Sequence, residues 1–365
     1  MDVALLHPYY WPEVRRGSER VVHDLAAGFT AEGHAATVLT THATRRAATR
    51  VEDGVIVRRL GRRPERLASW TGLPAPAAHL PAAWRALRAG APDVAHAFYV
   101  GEGLAALAWA RRAGRPTVFS TMGLPRPEGA AGRGRALAAA RRVARGVDAV
   151  VAISTAVAEG VERLLGVRAR VIHPGVDLDA FAPGGQRAEE PTLYCAAALE
   201  DPRKQADVLL GAFTRVRRER PRAQLVLERP ASPALAARLG GHAGVELAPA
   251  ARDDATLRER YRAAWVRVLP SRAEAFGLVV AEGLACGTPG VGTNEGGIPE
   301  VLGDEGVGRL FAPGDEGALA RALLEALDLA ADPATAARCR EHARAFDQRR
   351  CVAEHVALYR ELGAP

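Results

Sequence analysis

The chain has 365 residues, 48% hydrophobic and 25% charged. At about 100–200 residues per domain this is enough for two ordinary globular domains, and it excludes a disordered chain, a collagen-like repeat or a small disulfide scaffold. A net charge of +7 favours anionic partners such as phosphates without choosing among them.

The four cysteines, Cys195, Cys286, Cys339 and Cys351, show no C-x-x-C spacing. They read as reduced thiols of a cytoplasmic protein, not as a metal site. No apolar run approaches the ~18–20 residues that cross a bilayer, and the first residues lack the basic start and apolar stretch of an export signal. Of 49 basic residues only Lys204 is lysine, and Asn294 is the only asparagine. In so arginine-rich a chain a surviving ammonium points to chemistry that a planar guanidinium cannot replace.

In chain order, short apolar runs alternate with helical patterns. Strands are expected at Val3–Leu6, Ala36–Thr40, Val55–Leu60, Asp93–Phe98, Pro116–Thr121, Val147–Ile153 and Arg170–His173. Helices are expected over Glu19–Glu32, Leu104–Arg112, Arg133–Arg145 and Thr155–Leu165. The pattern breaks in the Pro/Gly-rich stretch from Pro174 to Gly185. A second series then places strands at Thr192–Ala197, Gln224–Leu227, Val245–Ala248, Val266–Pro270, Pro289–Gly292 and Val307–Phe311. Its helices are Gln205–Arg218, Asp254–Ala264, Gly277–Ala285 and Glu316–Leu329, with helix again over Pro333–Leu362. The fold class is therefore α/β, with two Rossmann-like domains. Their expected bounds are 1–178 and 179–345, with a C-terminal helix over about 346–365 packing back on the first. Ligands in such sheets bind at the carboxyl ends of strands, which directs attention to a cleft between the domains.

Gly101-Glu102-Gly103-Leu104-Ala105-Ala106 matches a dinucleotide fingerprint. It follows the wrong strand, however, and no carboxylate stands about 20 residues on to meet a ribose. A glycine-rich helix start is the better reading, and a dehydrogenase is disfavoured. The strongest segment runs from Pro270 to Pro289. There a strand ends, a loop carries Glu274, and a helix begins near Phe276-Gly277. Amides at that helix start suit a phosphate, and Gly277 allows close backbone approach. Glu282, within apolar neighbours, needs a hydrogen-bond donor, and sugar hydroxyls are such donors.

The Glu274-to-Glu282 spacing, followed by Gly-Leu-Ala-Cys-Gly-Thr-Pro, resembles the signature of family 4 glycosyltransferases. These are retaining enzymes of the GT-B fold, in which two Rossmann-like domains face one another. Gly17-Ser18-Glu19, Gly33-His34, Pro92–His96, Val171–Asp177, Gly296–Val301 and Gly308–Phe311 resemble other segments of that family. The resemblance implies a nucleotide-sugar donor and the following roles. Glu282 binds the ribose. Glu274, with the amides of Phe276, Gly277 and Leu278, holds the donor sugar and distal phosphate. Lys204, beside Arg203, neutralises the departing diphosphate, and Gly17 admits the diphosphate from the first domain. Lys204 and Glu274 are the implied catalytic pair. Trp11, Arg16, His96, Met122 and Gly123 fall on the acceptor side.

The chain departs from the family at four places. Ala198 replaces an arginine, Arg16 the first glycine of a pair, Glu228-Arg229-Pro230 a glycine turn, and Met122 a histidine. No metal spacing is seen, and the resemblance implies that neither metal nor cofactor is needed beyond the donor. The expected activity is transfer to a small-molecule acceptor, as in bacterial natural-product biosynthesis. The alternatives are a peripheral enzyme acting on a lipid-linked or polysaccharide acceptor, a phosphorylase or synthase using the same cleft, and a degenerate nucleotide-binding relative. A membrane surface is disfavoured because the basic helix Arg133–Arg145 lacks aromatic anchors. No nucleic-acid-binding module is recognisable.

Overall fold

The computed structural model describes residues 1–15, 17–41, 47–61, 80–124, 134–251 and 253–365. Arg16 and Arg133 lie outside the described residues. The chain divides into two compact units, residues 1–175 with 348–365, and residues 176–347.

The first unit contains β1 (Asp2–Leu6), α1 (Gly17–Ala31), β2 (Ala35–Thr41), β3 (Ala48–Glu52), β4 (Val55–Leu60), α2 (Leu80–Gly90), β5 (Val94–Ala97), α3 (Val100–Ala113), β6 (Thr117–Thr121), α4 (Gly134–Gly146), β7 (Ala149–Ala152), α5 (Thr155–Leu165) and β8 (Arg170–Val171). The strands form one sheet in the order β3-β4-β2-β1-β5-β6-β7-β8. It is parallel except for β3, which runs antiparallel at the edge against β4. Alternate residues Val3 and Leu5, Val38, Val94 and Val118 meet Val22, Leu25 and Phe29 of α1 in one core. The last helix of the chain (Gln348–Glu361, α13 below) adds Val352, Val356 and Tyr359 to it. Gly28 makes room for that helix, since a Cβ there would strike Val352.

Gly103, in the first turn of α3, has a packing role of the same kind. A Cβ on Gly103 would collide with Val143 of α4. On α4 only Val143 and Ala144 are buried, so most of its arginines face solvent.

The second unit contains β9 (Thr192–Cys195), a 3-10 turn at Pro202–Lys204, α6 (Ala206–Glu219), β10 (Gln224–Glu228), α7 (Pro233–Gly240), β11 (Val245–Ala248), α8 (Asp254–Ala263), β12 (Val266–Leu269), α9 (Leu278–Ala285), β13 (Gly290–Thr293), α10 (Ile298–Leu302), β14 (Gly308–Phe311), α11 (Glu316–Ala331) and α12 (Thr335–Ala343). The helix α13 (Gln348–Glu361), already met in the first unit, follows. The sheet order is β11-β10-β9-β12-β13-β14, parallel throughout. Strands added after β9 run outward on one side and those from β12 outward on the other. The order therefore reverses between β9 and β12, the point where ligands bind in doubly wound sheets.

Four of the elements, β3, α2, α7 and α10, were not expected from the sequence. β3 is almost wholly exposed and so lacks the alternation that marks a half-buried strand. α2, α7 and α10 each carry proline close to the start, and α7 has a Ser232 cap that accepts from Leu235 N, the local signals of a helix start. Among the described residues no helix is long and apolar enough to cross a membrane. All four cysteines are buried and free.

Candidate functional site

In the second unit the segments leaving β9 and β12 meet at the point of strand-order reversal. After β9, Asp201 caps the short turn by accepting from Arg203 N at 2.9 Å, and the turn presents Lys204. After β12, Pro270-Ser271 leads into a loop carrying Glu274. The two are tied by Arg272 N donating to Arg203 O at 2.8 Å and by the Gln205 amide donating to Pro270 O. Across this junction Lys204 Nζ donates to Glu274 Oε2 at 2.7 Å. Both side chains are part-buried, 18% and 23% exposed, so the pair is open to a ligand yet shielded enough for its charges to matter.

The Glu274 loop is held from β13. Thr293 donates to Ser271 O at 2.7 Å, Glu295 accepts from Ala273 N at 2.6 Å, and Gly297 N donates to Glu274 O at 2.9 Å. Gly296 and Gly297 lie directly on this loop: a Cβ on either would collide with the carbonyl oxygen of Glu274 or Ala275. Their lack of side chains therefore sets the position of Glu274. Next, Gly277 takes φ +101° and starts α9 with no side-chain cap. The first amides of that helix have no partner within the helix itself, an arrangement suited to phosphate oxygens. Phe276 is buried and packs edge-on against Phe346, with ring centroids 5.4 Å apart, so its backbone and not its ring is available to a ligand.

Glu282, on α9, is only 3% exposed. Its Oε2 accepts from the Tyr261 hydroxyl at 2.7 Å. Burial, then the negative charge of Glu282, pushes the Tyr261 phenol well up, so it stays a donor. Beside Tyr261 lies Arg267, fully buried on β12. The sequence reading missed both residues. The available signal was an arginine inside the apolar strand Val266–Leu269, which nothing in periodicity connects to Glu282.

The remaining expected residues are placed as follows. Arg203 is exposed and its guanidinium is committed to the Asp201 carboxylate, which holds its pKa up. Ala198 is exposed. In the first unit Gly17 begins α1, exposed, with open space around a notional Cβ. Trp11 lies under the guanidinium groups of Arg15 and Arg20, 5.2 and 5.6 Å from its ring centroid. Met122 packs against the core from its edge, and Gly123 is exposed.

His96 departs from its expected acceptor-side place. It is fully buried, its Nδ1 2.6 Å from the Tyr359 hydroxyl and its Nε2 2.7 Å from Ser120 Oγ, and its ring stacks on Phe98. Burial, and then His355, pushes its pKa well down. It is a neutral core group with both ring nitrogens already engaged. Among the described residues no cluster of three His, Cys, Asp or Glu side chains could hold a metal ion.

Two Rossmann-like units with parallel sheets and flanking helices are the architecture of the GT-B fold, and solved structures agree. Sucrose-phosphate synthase from Thermosynechococcus elongatus superimposes with TM-score 0.83 at 23% identity, covering 99% of this chain and 98% of that one. The Anabaena protein HepE in complex with UDP-glucose gives 0.75 at 19% identity, covering 98% and 100%. At these identities the likeness shows the fold. Family models described as Glycosyltransferase Family 4 and Glycosyl transferases group 1 match residues 15–180 and 190–328. The chain belongs to the family 4-like glycosyltransferases of the GT-B fold. Among curated relatives, D-inositol 3-phosphate glycosyltransferase of Streptomyces avermitilis is 32% identical over 289 residues, 70% of this chain and 61% of that protein. The Mycolicibacterium smegmatis protein of the same name is 35% identical over 211 residues, 53% and 47%. The chain thus spans between about half and three-fifths of the length of these relatives.

Proposed function

We propose that the protein is a retaining glycosyltransferase that moves a sugar from a nucleoside diphosphate to a small-molecule acceptor, working in the cytoplasm. The observation that carries this reading is the Lys204–Glu274 pair at 2.7 Å, set at the strand-order reversal beside an uncapped helix start. As the sugar departs, negative charge grows on the diphosphate. The Lys204 ammonium and the α9 amides are donors already in place for it, which is the main electrostatic task of such a transfer. Glu274 accepts from sugar hydroxyls and orients the ring, and Glu282 accepts from the ribose. The reaction runs on the front face, the leaving diphosphate helping to take the acceptor proton, and the chain supplies charge and position without a metal.

The relatives named for D-inositol 3-phosphate support a small, phosphorylated polyol as the first acceptor to try. A natural-product acceptor is the broader form of the same proposal. The test is product analysis. UDP-, ADP- and GDP-sugars are each incubated with D-inositol 3-phosphate and with a panel of small aglycones, and the anomeric configuration of any product is read by NMR. Transfer with retained configuration supports the reading. An inverted product contradicts the retaining mechanism, and hydrolysis or phosphate-dependent turnover without transfer contradicts the transferase assignment.

A further inference from the structure

Glu228 is the last residue of β10, the strand beside β9 on the side away from β12. Its Oε1 accepts from three groups that converge on it: the Tyr194 hydroxyl at 3.1 Å, Ala251 N at 3.2 Å and Arg260 Nη1 at 3.4 Å. Arg260 is itself fixed, because its Nη2 donates to Pro249 O. One side chain thus ties β9, the loop after β11 and α8 together at the carboxyl edge of the sheet. That tie uses a single oxygen. Oε2 takes no hydrogen bond among the described residues, and the side chain is 22% exposed. An acceptor is therefore left over at a strand end, where ligands bind in such sheets.

Two buried tyrosines relate this spare oxygen to the donor. Glu282, the proposed ribose acceptor, takes the Tyr261 hydroxyl at 2.7 Å. The Tyr261 ring lies 5.8 Å from that of Tyr194, and the Tyr194 hydroxyl reaches Glu228. Both rings are buried and form a floor from Glu282 to the end of β10. That end lies one strand beyond the β9–β12 junction where Lys204 and Glu274 meet. In a nucleoside diphosphate the base lies beyond the ribose from the phosphates, so the base comes to Glu228.

A carboxylate oxygen sorts bases by what their edges carry. Uracil and thymine present one N–H between two carbonyl oxygens, and those oxygens meet a carboxylate unfavourably. Adenine presents an amine beside an unprotonated ring nitrogen. Guanine presents an exocyclic amine next to a ring N–H, two donors side by side. Attraction to one base and repulsion of another both contribute to such a choice. We propose that Glu228 sets the base specificity of the donor, its Oε2 accepting from the exocyclic amine of guanine, so that the protein uses a GDP-sugar. The inference rests on the nucleotide-sugar reading of the Lys204–Glu274 site and on Glu282 as its ribose acceptor.

The experiment is calorimetric titration with GDP, UDP, ADP and IDP, whose base is guanine without the exocyclic amine. The proteins are the parent, Glu228→Gln and Lys204→Ala. The parent is expected to bind GDP about tenfold or more tighter than the other three, the scale of one hydrogen bond to a charged group. Glu228→Gln keeps a side-chain oxygen for Tyr194 and Ala251 but puts an amine where Oε2 stood. Its preference for GDP over IDP and UDP is expected to collapse, a change of ranking that a purely structural tie would not produce. Lys204→Ala is expected to weaken every nucleotide and keep their order. Equal binding of GDP and IDP by the parent, a parent preference for UDP or ADP, or an unchanged ranking in Glu228→Gln overturns the inference alone. The parent's own ranking decides the matter if Glu228→Gln does not fold. Failure of the parent to bind any of the nucleotides, or undiminished binding by Lys204→Ala, overturns the nucleotide-sugar reading and the inference together.

Discussion

At the scale of single residues the candidate site is a few charged side chains held in place largely by backbone hydrogen bonds and glycines. Lys204 is the chain's one lysine, and its ammonium meets Glu274 at 2.7 Å. Lys204→Ala should cost about 10²–10³ in kcat, as expected when a donor to developing charge is removed. The melting temperature should move little, because a part-exposed pair contributes only about 0–1 kcal/mol. Steady-state kinetics beside a thermal melt separate the two. Gly296 is the uncharged counterpart. Gly296→Ala drives a methyl into the Glu274 carbonyl and forces an L-residue into φ +68°, so Glu274 must move. Donor binding should fall by at least about tenfold, since sub-ångström placement decides such contacts; a titration with the sugar nucleotide reads it directly.

At the scale of elements, the turn before α6 and the start of α9 do the placing. Asp201 caps the Pro202–Lys204 turn from its side chain, so Asp201→Ala should cost about 0.5–2 kcal/mol of stability and also free Arg203. Gly277→Ala meets no atom closer than 3.5 Å, which leaves conformation as the cost. At φ +101° that is about 1–2 kcal/mol, measurable by urea unfolding. These elements were legible in sequence because strand ends, glycines and a lone lysine are local signals. The partners that hold Glu282 were not. Tyr261 is 21 residues away in sequence, and Arg267 sits in a four-residue strand whose other members are apolar. A buried arginine that donates to the backbone of the neighbouring strand leaves no periodic trace. The exposed edge strand β3 was invisible for the opposite reason, since it buries almost nothing. His96 misled because a histidine at a strand end reads the same whether it faces a ligand or, as here, Tyr359 of a helix more than 250 residues on.

At the scale of the whole molecule, the alternation of strand and helix was enough to specify two sheets that are parallel apart from the edge strand β3, because buried parallel strands must be short, apolar and separated by helices. What the sequence could not rank is how the two units respond to acid. Among the described residues, the first unit buries three histidines, His7, His96 and His355, in neutral form. Burial pushes His7 and His355 down to about 4, and His96 well below its usual value. The unfolded chain takes up these protons as pH falls through about 6.5, while the folded unit does not until about pH 4. Stability is therefore full above pH 6.5 and is lost between there and about 4, at roughly 1.4 kcal/mol per pH unit for each histidine. Hydrogen exchange at about pH 7 and 5 should show protection falling in β1, β5 and α13. A uniform loss across both units would count against this account.

The central claim, that the second unit's strand-order reversal is a nucleotide-sugar site centred on Lys204 and Glu274, is tested most directly by ligand-induced stabilisation. The parent and Lys204→Ala are melted with UDP-, ADP-, GDP- and TDP-sugars. A ligand present at about 100 times its Kd adds about 2.7 kcal/mol to the native state, a shift of several degrees. The account predicts that one nucleotide class raises the parent's melting temperature and leaves Lys204→Ala unmoved. Equal stabilisation of both proteins, or none at millimolar ligand, contradicts it.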